Sequence, residues 1–371
     1  MKIIIFATFY PPYKGGYAHS VFGLVNSLNK QGHQITVVSC NTNQQEETEE
    51  REGVRILRVS CWNSKKLNGS YPIPKFSIIK ILWRLRKENF DIVSTQTRFY
   101  TLTWLGLFFS KTNNIPCVHT ERGSSHSVSE SSLIAWLSKC VDHTFGYLIC
   151  RYSNCVVGVS EQACQFVRHL GAKKVVKIYN GVDTDFWKSS DVDNGLTISF
   201  VGRLVYAKGV QDLLRAVALI NNKETLVNII GDGPYKKNLI ELSNDLGINH
   251  QVKFWGELEL EKIKDIFLQT SIFVNPSYSE GLPRSVLEAA GAGLPIIATN
   301  VGGTGEIVSS DHGFLIDPRN VDLLAKNLSF ILSNRDLGRV KGQKLREFVN
   351  RNFKWDLIAQ QYQKVFLDAN K

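Results

Sequence analysis

A chain of 371 residues exceeds one typical domain and points to two, at roughly 100–200 residues each. Its 43% hydrophobic content is ample for two cores and excludes a disordered chain. The formal charge of +10 is uneven: residues 1–180 hold 22 Lys/Arg against 11 Asp/Glu, residues 181–371 hold 22 against 23, and the basic half suits an anionic partner, nucleic acid or an acidic membrane surface.

In chain order, Lys2–Thr8 reads as a buried parallel strand, not a signal peptide, because its apolar run is short and ends in Tyr10-Pro11-Pro12. A loop with Gly15-Gly16 follows, then a helix over Ala18–Gln31 with Val21, Leu24, Val25 and Leu28 on one face. The glycine pair fits either a tight turn or close backbone approach to a phosphate or sugar. It lacks the G-x-G-x-x-G of a dinucleotide site. HQITVVS is a strand, Gln44–Glu52 a polar, acidic surface loop, and Val54–Val59 a strand. Lys65–Lys87 has seven basic residues and no acid, with Phe76, Ile79, Leu82, Trp83 and Leu85 interleaved. That composition fits an interfacial membrane helix, and equally a core helix with a solvated basic face.

DIVSTQT is a strand and Leu102–Phe109 a short apolar helix. The strand ending PCVHTERG brings His119, Glu121 and Arg122 to a strand terminus, where His119 is expected to face a ligand rather than the core. Ser131–Arg151 reads as one long apolar helix, interrupted by too many charges to span a membrane. Ser160 caps the helix after NCVVGVS. All seven cysteines lie in this half without a C-x-x-C pair, which argues against a zinc site or a disulfide framework and for buried thiols in a reducing cytoplasm. An Asn180-Gly181 turn marks the linker.

The second half restarts the strand–loop–helix rhythm. After LTISFV, a loop places Gly202, Arg203 and Lys208 ahead of a helix, two cations beside a helix N-terminus that suit a diphosphate. Gly231-Asp232-Gly233-Pro234 turns the next unit. The stretch Asn275–Glu306 then joins an apolar strand, a loop with Glu280, Gly281 and Leu282, a helix opened by Pro283 and carrying Glu288, a second strand and the turn Gly302–Gly305. Amide-rich turns suit oxygen-rich ligands and the carboxylates suit hydroxyls, so the stretch describes a nucleotide-sugar pocket better than a metal or nucleic-acid site. An ordinary α/β unit with solvated glutamates is the plain alternative. Asp191-Val192-Asp193 matches the D-x-D pattern of metal-dependent transferases, but no strand precedes it and it reads as chance.

With VGRLVYAKG, GDGP, AGLPIIATNVGG, IYNGVD and the E-x7-E spacing of Glu280 and Glu288 in EGLPRSVLE, nearly the whole chain resembles the retaining GT4 family of GT-B glycosyltransferases. The resemblance implies two Rossmann-like parallel-sheet domains facing a central cleft: an acceptor domain over 1–180, a nucleotide-sugar domain over 181–352, and a C-terminal helix over 353–371 packing back on the first. Closure about the linker would exclude water. It implies that Arg203 and Lys208 bind the donor diphosphate and stabilise its departure, that Glu288 holds ribose hydroxyls, and that Glu280 contacts the donor sugar. Gly202 would belong to the donor-binding residues, the backbone at Gly281–Leu282 would orient the sugar, Gly16 would border the phosphates, and His119 would contact the sugar or phosphate from the first domain. No cofactor or metal is implied, and no catalytic base is assigned.

The expected reaction is hexosyl transfer from a nucleotide sugar, UDP favoured, to a lipid-linked glycan or a surface polysaccharide such as bacterial lipopolysaccharide or capsule. The expected place is the cytoplasm, peripheral on the inner face of the membrane. A dehydrogenase is disfavoured by the missing fingerprint. A nucleotide-sugar epimerase of the same fold would convert donor without acceptor. Nucleic-acid binding lacks any recognition motif.

Overall fold

The computed structural model describes residues 1–62, 71–126, 132–188 and 196–370. Two compact units emerge, one within Met1–Ser127, Ser131–Gly181 and Trp355–Lys371, the other within Val182–Lys354.

The first unit is built on β1 (Lys2–Phe6), β2 (Gln34–Asn41), β3 (Thr48–Arg51), β4 (Val54–Trp62), β5 (Ile73–Pro74), β6 (Ile92–Gln96), β7 (Cys117–Glu121), β8 (Cys155–Gly158) and β9 (Val175–Lys177). Its order is β3-β4-β2-β1-β6-β7-β8-β9, with β5 on β4. The β3–β4 and β4–β5 pairs are antiparallel and the rest parallel. Helices α1 (Gly16–Lys30), α2 (Ile78–Leu85), α3 (Thr101–Thr112), α4 (Ser132–Val141), α5 (Tyr147–Tyr152) and α6 (Glu161–His169) connect the strands.

The second unit alternates β10 (Thr197–Val201), α7 (Val210–Ile220), β11 (Leu226–Ile230), α8 (Lys236–Asp245), β12 (Val252–Gly256), α9 (Leu260–Leu268), β13 (Ile272–Asn275), α10 (Arg284–Gly291), β14 (Ile296–Thr299), α11 (Thr304–Ile307), β15 (Phe314–Ile316), α12 (Val321–Ser333) and α13 (Arg335–Asn352). All strand pairs are parallel, in the order β12-β11-β10-β13-β14-β15. Counted from the unit's own first strand this is the dinucleotide-fold order 3-2-1-4-5-6, which reverses between β10 and β13. Near-continuous runs such as TISFV and IFVN suit strands covered on both faces.

The chain then returns to the first unit as α14 (Trp355–Ala369). There α14 packs with α1 over Ile3, Ile5, Ile92 and Val118, burying Ile358, Tyr362 and Phe366. The opposite face, with Ile4, Phe6, Val93 and Cys117, is covered by α2 and α3. The pairing of His119 with Val156 continues that face to α5 and α6. Strand alternation therefore sorts the helices: α1 and α14 on one side, α2, α3, α5 and α6 on the other.

Four expectations change. Gln44–Glu52 is not a plain loop, because Thr48–Arg51 pairs with β4 and Glu49 accepts from the buried Arg58 at 2.7 Å. An exposed edge strand shows little apolar alternation, so its polar sequence looked like a connection. The single long helix is interrupted by a π-helical turn at Asp142–Gly146, between α4 and α5. Of the basic segment, only Ile78–Leu85 is regular helix, while Lys65 and Lys66 lie outside the described residues, as does Asp191–Asp193. Finally, five of the seven free cysteines are buried, but Cys61 is half-buried and Cys140 exposed.

Candidate functional site

In a sheet of this order, ligands bind beyond the C-terminal ends of the strands at the reversal point, here β10 and β13. The loop after β10 carries Gly202, Arg203 and, on a short 3-10 turn, Lys208. The loop after β13 carries Ser277, Tyr278 and Glu280 and ends at Pro283, where α10 begins. The two loops are joined by Tyr278 N–H donating to Ala207 C=O at 2.8 Å. Gly209 is left-handed at φ 66°, and a Cβ there would lie 1.9 Å from the Pro276 carbonyl oxygen. The turn after β14 closes against the same loop, since Gly303 N–H donates to Gly281 C=O at 2.7 Å and a Cβ on Gly302 would meet the Glu280 carbonyl at 2.0 Å. These glycines let three loops share one backbone layer.

Charge is concentrated in that layer. Lys208 Nζ donates to Glu280 Oε1 at 2.7 Å, and Ser277 Oγ donates to the same oxygen at 2.7 Å. Arg203 stands exposed on the β10 loop. Leu282 is buried beside Gly281, and no side chain caps the N-terminus of α10. One turn into α10, Glu288 is 5% exposed and accepts from Arg284 Nε at 2.6 Å. Burial pushes the Glu288 carboxyl up, and the Arg284 guanidinium offsets that only in part. Tyr278 adds a ring beside Tyr206, with its hydroxyl donating to Asp212 at 2.8 Å.

So Gly202, Arg203, Lys208, Glu280, Gly281, Leu282 and Glu288 all belong to one loop-and-helix cluster. Cations, a helix N-terminus and hydroxyl-accepting carboxylates can hold an ester of diphosphate and sugar. Arg284, Ser277 and Tyr278 escaped the sequence reading. Arg284 and Glu288 have i,i+4 helical spacing, and that signal was available.

In the first unit the sheet reverses between β1 and β6. Gly16 starts α1 with open space around its Cα, so backbone there is approachable. Phe9, Tyr13 and Tyr100 on the loops after these two strands cluster with Tyr17 in the first turn of α1, with Phe9 stacked on Tyr13 at 4.1 Å between centroids. His119 is different. Expected to face a ligand, it lies at a strand end but 0% exposed, 2.9 Å from Thr95 Oγ1 through Nδ1 and 3.5 Å from Glu121 Oε2 through Nε2. Glu121 is held by Arg98 at 2.9 Å, and Arg98 Nε donates to Asp142 at 2.6 Å. Burial alone would raise the Glu121 carboxyl, but Arg98, His119 and the Gly123 amide hold it at about 2. Arg122 is likewise committed, donating to Asn180 and to Gln96. The strand-end position was read correctly, but partners from neighbouring strands seal it.

Residues 181–354 match the family described as Glycosyl transferases group 1, and residues 14–186 match Glycosyltransferase Family 4. An uncharacterized glycosyltransferase of Methanocaldococcus jannaschii is 28% identical over 99% of this chain and 98% of its own. Sucrose-phosphate synthase from Thermosynechococcus elongatus superimposes with a TM-score of 0.82 at 20% identity, covering 99% of this chain and 98% of that one. Anabaena HepE in complex with UDP-glucose gives a TM-score of 0.79 at 18% identity, covering 99% and 100%. With both halves matched and the loops in place, the chain belongs to the GT4-type group 1 glycosyltransferases and has the GT-B fold.

Proposed function

We propose that this enzyme is a retaining hexosyltransferase that takes a sugar from a UDP-sugar and delivers it to a hydroxyl of a lipid-linked or surface-polysaccharide glycan on the cytoplasmic side of a membrane. The observation that carries the donor half is the Lys208–Glu280 pair at the reversal point of the second sheet, with Arg203 on the same loop as Lys208 and Glu280 three residues before the N-cap of α10. HepE, a structural neighbour, is described with UDP-glucose, which supports UDP as the nucleotide. The acceptor half rests on the basic first unit and its aromatic cluster at β1 and β6, since flat rings suit the apolar faces of sugars.

In this reading Arg203 and Lys208 hold the diphosphate, Glu280 accepts from hydroxyls of the donor sugar, and Glu288 accepts from ribose hydroxyls. Gly202 keeps its loop thin, and backbone at Gly281–Leu282 orients the sugar. As the bond from the sugar C1 to the phosphate oxygen breaks, negative charge grows on the diphosphate, and the two cations stabilise it without a metal. The acceptor hydroxyl attacks C1 on the face the diphosphate leaves, and its proton passes to a phosphate oxygen, which retains configuration. In this reading His119, 3.5 Å from Glu121 Oε2, steadies that carboxylate.

A hydrolysis screen across nucleotide sugars tests the reading. UDP-sugars should be turned over in the presence of EDTA, and Arg203→Ala and Glu280→Ala should each lower turnover by at least about 100-fold, near 2.7 kcal/mol. Full activity in both variants, or turnover of GDP-sugars alone, would refute it.

A further inference from the structure

We infer that the outer surface of α2, α3 and the α4–α5 run of the first unit is a docking surface for an anionic lipid bilayer. The inference deepens the membrane-side acceptor reading and rests on it only for its biological purpose.

α2, α3 and α5 lie on one face of the sheet beside α6, and α4 runs into α5 through the π-helical turn. Each turns large apolar side chains outward. Phe76, just before α2, is 79% exposed, and Ile79 and Trp83 continue its outer stripe. Phe108 of α3 is 64% exposed. Trp136 of α4 is 60% exposed, with Leu137 beside it, and Leu148 and Tyr152 stand out on α5. The pieces are tied together: Trp104 of α3 stacks on Phe145 of the π-helical turn at 4.0 Å between centroids. Scattered single apolar residues need no explanation, but three neighbouring helices all displaying them do.

Charge identifies the occupant. None of α2, α3, α4 and α5 contains an aspartate or glutamate. The π-helical turn has Asp142, which is fully buried and paired with Arg98. Exposed cations punctuate the layer instead: Lys80, Arg84 and Lys87 around α2, Lys111 at the end of α3, Lys139 on α4. Lys87 Nζ sits 4.3 Å from the Trp83 ring centroid, so apolar and cationic groups share one surface. The acidic Glu161 lies on the neighbouring α6, where Arg168 pairs with it, and α14 on the opposite face carries Asp356 and Asp368. A second copy of the layer would set cation against cation, which disfavours self-association. An anionic headgroup plane pairs with the cations, while tryptophan and tyrosine suit the interface just below it. Among the described residues no helix is long and apolar enough to cross a membrane, so the contact would lie along the surface.

The test uses the full chain with vesicles of phosphatidylcholine alone and of phosphatidylcholine with phosphatidylglycerol. Co-sedimentation is expected with the anionic vesicles only, weakened by salt. Trp136→Asp and Trp83→Asp should each reduce it by at least about tenfold while leaving melting temperature and UDP-sugar hydrolysis unchanged. Lys80→Glu with Arg84→Glu should do the same. No sedimentation with anionic vesicles, or binding indifferent to all these changes, overturns the inference. So does a lipid-free dimer that Trp136→Asp dissolves, because the occupant is then a second copy. Unchanged hydrolysis in a protein that ignores vesicles would leave the donor reading standing and sink this one alone.

Discussion

Lys208 and Glu280 meet at 2.7 Å from positions 72 residues apart, and the second unit's chemistry turns on how such residues are held. Glu288 shows this most directly. In the proposed role its carboxylate is ionised to accept from ribose hydroxyls, yet burial raises its pKa and Arg284 is the group that opposes the rise. Acidification should therefore weaken donor binding at a higher pH than for a carboxylate in water. Arg284→Gln should move the acid limb of kcat/KM higher still and raise the donor KM by roughly tenfold, the scale of one charged hydrogen bond. A pH–rate profile with an unmoved acid limb would contradict the pairing. The motif EGLPRSVLE was readable because its spacing lies within one loop and one helix. The burial of His119 was not, since Thr95 and Glu121 seal it and only strand order brings Thr95 alongside.

At the scale of elements, the first unit is pinned by Arg98. Its guanidinium bridges Glu121 at the end of β7 and Asp142 at the start of the π-helical turn, and His126 Nδ1 lies 2.6 Å from the same aspartate. Arg98→Met would leave two buried carboxylates without their cation and should destabilise the unit by about 3–5 kcal/mol, read as a fall in denaturation midpoint. Glu121 also sets a pH window. Its carboxyl is depressed from 4.5 to about 2 in the folded state, so its contribution is present above about 4.5 and is lost as pH falls toward 2. Urea titrations across that window should show stability falling on the acid side, less steeply in Glu121→Gln. The break in the α4–α5 run has the same origin. Its apolar pattern reads as continuous helix, and the pull of Arg98 on Asp142 is invisible until β6 is placed beside it. Regular elements such as β10 and α7 were legible because their periodicity is self-contained. The edge strand β3 was not, because pairing with β4 rather than burial makes it a strand.

For the whole molecule, the two sheets are separate folding problems, and among the described residues the chain crosses back once, in the return of α14 to the first unit. Ile358, Tyr362 and Phe366 complete a core whose other members begin at Ile3. Removing residues 355–371 should thus unfold the first unit, seen as loss of its cooperative melting transition. The second unit, Val182–Lys354, holds its own core around Ile198, Leu213 and Ile297. The loops of the proposed donor site belong to that unit. The most direct test is a calorimetric titration of UDP into the full chain and its Lys208→Met and Arg203→Met variants. The expected result is saturable 1:1 binding by the parent and a loss of at least about tenfold, near 1.4 kcal/mol, in each variant. Equal affinity in all three proteins would contradict the placement of the diphosphate between β10 and β13.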